Sequence, residues 1–135
     1  GDKNIFANHA TLAGHVELGS ECNIGAFSAV HQFCRVGNHA FLGGFTVATL
    51  DCMPYMKTVG ARGTKSYGVN SIGLERKGFS RDQIAKLKEA HRILFHSDLD
   101  RDQGLIEIVD KLGNHAEITY LADFIKQSVR GIHRG

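Results

Sequence analysis

Residues 6–48 run FANHAT LAGHVE LGSECN IGAFSA VHQFCR VGNHAF LGGFTV A, and an apolar residue opens every block of six: Phe6, Leu12, Leu18, Ile24, Val30, Val36, Leu42 and Ala48. The residue that follows is tiny in most blocks (Ala7, Ala13, Gly19, Gly25, Gly37, Gly43). The position two before each apolar residue is small or compact in most repeats (Ala10, Val16, Cys22, Ser28, Cys34, Ala40, Thr46). A period of six matches neither the 3.6 of a helix nor the 2 of a strand. It predicts a β-solenoid in which one aliphatic per flat side points inward and stacks on its equivalent in the next coil. Three hexapeptides, about 18 residues, complete one turn of a triangular prism. Small residues beside the aliphatics are expected at the corners, where a bulky Cβ would crowd the turn.

Beyond the repeat the pattern changes. The period fades near Asp51, and the single proline, Pro54, stands beside Tyr55. Residues 52–77 are rich in glycine and predict loops and short strands leaving the solenoid. Ser80 and Gln83 then have the spacing of a capping box, and Ile84, Leu87, His91, Leu94 and Phe95 recur at helical spacing. A second helix is expected through Leu105, Ile106, Val109 and Leu112, stopped by Gly113. A third carries Ile118, Leu121, Phe124, Ile125 and Val129. The expected organisation is a solenoid over residues 1–53, a glycine-rich linker over 54–77 and a helical subdomain over 78–135. Only about three coils fit before Pro54, and the first starts in mid-repeat with no cap. The sequence therefore predicts either a piece of a longer solenoid or an open end buried in an oligomer.

Composition narrows the function classes. The 135 residues are 42% hydrophobic and 22% charged with a formal net charge of +2, too slight to imply a nucleic-acid partner. Three cysteines without metal-type spacing predict reduced thiols, with Cys22 and Cys34 as packing residues at equivalent repeat positions. With no secretory signal or long apolar span in view, a cytoplasmic protein without a transmembrane segment is expected.

Four segments carry a family resemblance: Asn8-His9-Ala10-Thr11-Leu12-Ala13-Gly14-His15, Ala29-Val30-His31-Gln32-Phe33-Cys34, Tyr67-Gly68-Val69-Asn70 and Gly73-Leu74-Glu75-Arg76-Lys77-Gly78-Phe79-Ser80. In order and spacing they resemble the acyl-ACP:UDP-N-acetylglucosamine O-acyltransferases of lipid A synthesis, over their C-terminal half. Ser128-Val129-Arg130-Gly131 is similar to that family's last helix. The resemblance implies a homotrimer of left-handed parallel β-helices with active sites between subunits. It implies transfer of a 3-hydroxyacyl group from acyl carrier protein to the 3-hydroxyl of UDP-N-acetylglucosamine. No cofactor is implied, because the acyl-phosphopantetheine belongs to the carrier protein as co-substrate. The family's general base is a histidine of a His-x-x-His-Asp motif expected upstream of Gly1, so the 135 residues alone are expected to show little transfer.

By the same resemblance, Gly14 supplies a backbone N–H to the thioester oxyanion, a donor of the kind that contributes a few kcal/mol. Asn8, His15 and His31 line the sugar and acyl groove. Gln32, Asn70, Arg76 and Lys77 form the nucleotide end. Arg76 and Lys77 suit a diphosphate, and Asn70 suits a uracil edge. Gly44 falls where side-chain size limits acyl length, and glycine there implies room for a longer chain. Ile72 stands where well-known members carry a glutamate, His9 replaces an asparagine and Lys77 a second arginine.

Other readings compete. His9, His15 and His39 share one repeat position and are expected partly in a row, while His39, His91, His96, His115 and His133 are expected as surface or interface residues. A three-histidine metal site between subunits, as in β-helical carbonic anhydrases, is the lesser alternative, and no metal is expected. The cluster Lys57, Arg62, Lys65, Arg76, Lys77, Arg81, Lys86 and Lys88 either steers acidic acyl carrier protein or simply faces solvent. A non-catalytic trimeric UDP-sugar-binding or oligomerisation remnant is the alternative from another class.

Overall fold

The computed structural model describes residues 1–135. The hexapeptides form eight two-residue strands: β1 (Ile5–Phe6), β2 (Thr11–Leu12), β3 (Glu17–Leu18), β4 (Asn23–Ile24), β5 (Ala29–Val30), β6 (Arg35–Val36), β7 (Phe41–Leu42) and β8 (Val47–Ala48). Pairing is parallel, with Ile5 opposite Asn23 and Asn23 opposite Phe41, so each strand lies on the strand three hexapeptides later. Three faces result: β1-β4-β7 extended by β9 (Met56–Val59) and β10 (Lys65–Val69), then β2-β5-β8, then β3-β6. This is the left-handed parallel β-helix that the period of six predicts together with the resemblance.

The aliphatic positions point inward as expected. Ile24, Val30, Val36, Leu42 and Ala48 are buried, together with the compact residues Cys22, Ser28, Cys34, Ala40 and Thr46. Ser28 Oγ and Thr46 Oγ1 each donate to the Gly43 carbonyl, at 2.8 and 2.6 Å, which makes these two polar groups tolerable in an apolar interior. The three cysteines are free and buried, and burial pushes the Cys22 thiol up to about 11. In the first coil Ile5 and Phe6 remain exposed.

The corners differ from expectation. Small residues do sit at the approach to most turns, His31 before the Phe33 turn being an exception, and at Gly25 the lack of a side chain is needed. A Cβ on Gly25 would lie 2.5 Å from the Gly44 nitrogen of the next coil. The left-handed position of each turn, however, carries Lys3, His9, His15, Glu21, Phe27, Phe33, His39 and Phe45, all with φ between 55° and 63°. These bulky side chains point away from the prism, so the crowding that excludes a Cβ at Gly25 does not reach them. They form three separate stacks. His9, Phe27 and Phe45 lie along one corner, with ring centroids 4.9 and 5.2 Å apart. His15 lies on Phe33 at 4.9 Å along the second, and Lys3, Glu21, His39 and Tyr55 follow the third. His9, His15 and His39 therefore occupy three different corners and are not in a row.

Past the coils, β9 pairs parallel with β7 and turns back antiparallel into β10. A short helix, α1 (Ser71–Arg76), follows where only loops and strands are expected from sequence. The helical part comprises α2 (Arg81–Phe95), α3 (Arg101–Leu112) and α4 (Ala116–Lys126). Ser80 caps α2 as predicted: its Oγ accepts from Gln83 N at 3.1 Å while Gln83 Oε1 accepts from Ser80 N at 2.8 Å. On α3 the buried face is Leu105, Ile108 and Leu112, whereas Ile106 and Val109 point to solvent. Val129 lies beyond α4 and is fully exposed, and Ser128–Gly131 form an irregular segment rather than a helix.

That segment docks the helices onto the last coil. Ile132 pairs with Asp51, whose buried carboxylate accepts from Arg35 N at 2.8 Å and Ser128 Oγ at 2.7 Å. His133 Nε2 accepts from the N–H groups of Thr49 and Leu50 at 3.2 and 3.1 Å, so Nδ1 carries the proton and donates to Thr64 O at 3.2 Å. His91 and His133 are thus buried packing groups, not surface residues, and burial lowers both pKa values.

Candidate functional site

A cavity of about 600 Å³ forms a groove between the Glu21 corner of the solenoid and α1. The local fold explains its walls. Asn70 precedes α1, and its Nδ2 donates to His39 O at 3.3 Å, which ties the start of the helix to the third coil. A Cβ on Gly73 would lie 2.4 Å from Asn70 Nδ2, so the glycine leaves space for that carboxamide. At the other end of α1, Lys77 Nζ meets Glu21 Oε2 at 2.6 Å, one coil further down the same corner. The helix therefore spans two coils and closes one side of the groove.

Lys3, Lys57, Arg76 and Lys77 face the cavity against one carboxylate, that of Glu21. The Lys77 ammonium holds the Glu21 carboxyl below the usual range. Burial lowers the pKa of His39, which stacks on Tyr55 at 5.8 Å and meets Phe79 edge-on at 5.0 Å. An excess of cations beside a carboxamide, with Ile5, Phe41, Val69 and Ile72 for apolar contact, suits an anion attached to a flat polar group.

Of the residues singled out in the sequence, Asn70, Arg76 and Lys77 meet in this groove. The others lie elsewhere on the same chain. Asn8 and Gly44 belong to the Phe27 corner, where Phe27 N donates to Asn8 O and Phe45 N to Ala26 O. Gly14, His15, His31 and Gln32 belong to the Phe33 corner, where Phe33 N donates to Gly14 O. The Gly14 N–H makes no hydrogen bond within the chain, and a Cβ there would meet nothing within 4 Å. A Cβ on Gly44 would come no closer than 3.6 Å to Ala26 O. His31 Nδ1 lies 3.1 Å from Gln32 O and 3.3 Å from the guanidinium of Arg130, which also donates to Thr49 O. One prism cannot turn three corners toward one ligand. No three of the histidine, cysteine or carboxylate side chains converge as a metal site either.

From sequence alone neither Lys3 nor Glu21 stands out, while His39 is expected as a surface or interface residue and Lys57 as part of a basic cluster. Their signal is a spacing of 18 rather than six: Lys3, Glu21 and His39 are each one full coil apart and stack beneath Tyr55.

Comparison with known proteins bears on this arrangement. Residues 51–133 match the profile of Udp N-acetylglucosamine O-acyltransferase, Domain 2. The chain belongs to the UDP-N-acetylglucosamine O-acyltransferase family. It is similar to the acyl-[acyl-carrier-protein]--UDP-N-acetylglucosamine O-acyltransferase of Anaeromyxobacter sp. (strain K), with 41% identity over 99% of this chain and 52% of the relative. The protein of the same name from Myxococcus xanthus is 45% identical over 82% of this chain and 43% of its own. Among solved structures, the UDP-N-acetylglucosamine O-acyltransferase of Moraxella catarrhalis superposes with a TM-score of 0.91 at 38% identity, covering 97% of this chain and 51% of that one. The Arabidopsis UDP-N-acetylglucosamine acyltransferase superposes with a TM-score of 0.91 at 35% identity, covering 98% and 49%. The chain thus spans about half the length of the acyltransferases it matches. The Domain 2 match contains α1 and hence Asn70, Arg76 and Lys77, while the coil residues of the groove lie before it. No helix is long and apolar enough to cross a membrane.

Proposed function

We propose that this chain forms the sugar-nucleotide side of a site that moves a 3-hydroxyacyl group from acyl carrier protein to the 3-hydroxyl of UDP-N-acetylglucosamine, in the cytoplasm. The convergence of Asn70 and Arg76 in a groove with three lysines supports this most directly. Asn70 meets the uracil edge, and Arg76 with Lys77 meets the diphosphate through charge-assisted hydrogen bonds. The residues of the other two corners serve a ligand only if a second copy presents them, so the working unit is a homotrimer with sites between subunits. In that unit Asn8, His15, His31 and Gln32 line the sugar and acyl path, Gly44 leaves room along the acyl chain, and the free Gly14 N–H stabilises the oxyanion. The sugar oxygen loses its proton to a base, bonds the thioester carbon and expels the phosphopantetheine thiolate, which takes up a proton. Residues 1–135 contain no His-x-x-His-Asp segment, so the base comes from outside them. The acyl group arrives on acyl carrier protein, and no further cofactor is required.

The test is calorimetric titration with UDP-N-acetylglucosamine. Arg76→Ala should weaken binding about ten- to a hundredfold, since a charged hydrogen bond contributes roughly 1.5–3 kcal/mol. His96→Ala, at the exposed C-cap of α2 outside the groove, should leave the affinity unchanged. Equal affinities for Arg76→Ala and the parent would sink the placement of the nucleotide.

A further inference from the structure

We propose that Glu21 is a specificity residue of the groove, accepting hydrogen bonds from sugar hydroxyls of the bound nucleotide. The proposal rests on the nucleotide-sugar reading of this groove. Glu21 is the one carboxylate facing a cavity otherwise charged by Lys3, Lys57, Arg76 and Lys77. A carboxylate there repels a diphosphate, so its presence calls for a compensating contact. Its geometry offers one. The side chain is only 18% exposed and is held by Lys77 through Oε2 at 2.6 Å. Oε1 lies 3.9 Å from Lys3 Nζ, too far for a hydrogen bond, and keeps its lone pairs free. An ionised carboxylate accepts and never donates, so it selects ligand O–H groups and rejects phosphate oxygens.

Position along the corner fits the same assignment. His39 and Glu21 occupy successive coils of one stack. Asn70 is tied to the His39 level and Lys77 to the Glu21 level, at opposite ends of α1. A nucleotide whose base lies at Asn70 and whose phosphates reach Arg76 carries its ribose, or the hexose beyond the phosphates, past Glu21. Ile72, exposed on the opposite wall, has no polar atom to offer those hydroxyls.

A bare counter-ion for Lys77 is the competing role, and ratios of affinities separate the two. Calorimetry on the parent, Glu21→Gln and Glu21→Asp would use UDP-N-acetylglucosamine, UDP, 2′,3′-dideoxy-UDP and inorganic pyrophosphate. If the ribose is read, the parent prefers UDP over its dideoxy analogue by about tenfold, the value of one hydrogen bond to a charged group, and both variants lose most of that preference. If the hexose is read, the ratio of UDP-N-acetylglucosamine to UDP collapses instead. Glu21→Asp keeps the charge but withdraws the oxygens, so its loss of preference shows that reach matters beyond charge. Pyrophosphate affinity should hold or rise in Glu21→Gln. Both ratios unchanged, with all affinities moved by one common factor, would make Glu21 a counter-ion only and overturn the proposal. A parent that binds none of the four ligands would instead overturn the nucleotide reading beneath it, and the proposal with it.

Discussion

The solenoid and the helical part of this chain bury their apolar side chains in opposite ways. Inside the coils nine buried residues form one narrow column, several of them no larger than Ala40, Ala48 or Cys34. Around the helices, α1 and the β9–β10 hairpin, eighteen buried residues form a broader cluster that includes Leu87, Ile93, Ile108, Leu121 and Ile125. The more regular sequence therefore has the thinner core. Regularity comes from stacking identical turns, which fixes side-chain size at each level, while the amount of buried apolar surface depends on how many elements meet. The thin column also has less freedom to relax, because each aliphatic is bracketed by the coils on either side.

The largest effect should follow from placing a charge in that column. Leu42 is fully buried, in register with Ile24 on one side and Thr58 of β9 on the other, and a single neighbouring hydroxyl cannot replace the hydration of a charge. Leu42→Asp should cost more than about 4 kcal/mol, because an unpaired carboxylate cannot be solvated there. Phe45→Asp changes an aromatic of similar bulk only three residues away, but on a corner where it is 65% exposed. Its effect on urea unfolding should be small by comparison. Comparable losses at the two positions would mean that the corner stacks hold the solenoid together, not its interior.

The junction between the two regions should give an intermediate, pH-dependent effect. His133 is 4% exposed and fixed as the neutral Nδ1–H tautomer by two backbone donors at Nε2. Burial lowers its folded pKa below the usual 6.5, as it does for His91 and His39. A lowered histidine pKa means that the unfolded chain binds the proton first. The stability is then fully present above pH 6.5 and is lost as pH falls through that value toward the folded pKa. Chemical denaturation at pH 7.5 and pH 5.5 should show lower stability at the acid value. His133→Gln should lower the plateau, since two N–H groups lose their acceptor, and flatten part of the slope. An unchanged slope would assign the pH dependence to His91 and His39 alone.

How much of this was visible in the sequence depends on which period a residue follows. Ile24, Val30 and Leu42 obey the period of six, so their inward direction could be read from it. The groove obeys a period of 18, because only residues one full coil apart share a corner. At the shorter period His9, His15 and His39 look equivalent, although they lie on three different edges of the prism. Glu21 and Lys3 do not stand out from the sequence for that reason. Asn70, Arg76 and Lys77 were found through their resemblance to a family, and nothing in their own spacing shows that α1 would carry them to the Glu21 corner. The hydrogen bond from Asn70 to His39 O, 31 residues away, makes that connection, and it exists only once the chain is folded.

The helical part contains the reverse error, and the smallest predicted effect exposes it. From sequence, Ile106 and Val109 group with Leu105 and Leu112, because all four are apolar and near helical spacing. On α3, however, successive residues turn by about 100°, so Ile106 and Ile108 point to nearly opposite sides. The structure buries Ile108 completely and leaves Ile106 63% exposed. Apolar content alone could not choose between them. The packing of α3 against both α2 and α4 makes the choice, by covering the face that contains Leu105, Ile108 and Leu112. Ile106→Ala should thus change stability by no more than about 0.5 kcal/mol, whereas Ile108→Ala should cost roughly 2–5 kcal/mol through lost burial and the cavity left behind. Thermal unfolding of the two variants side by side measures the difference. A loss at Ile106 equal to that at Ile108 would show that the outer face of α3 is covered in solution, and that all four apolar residues belong to one buried group.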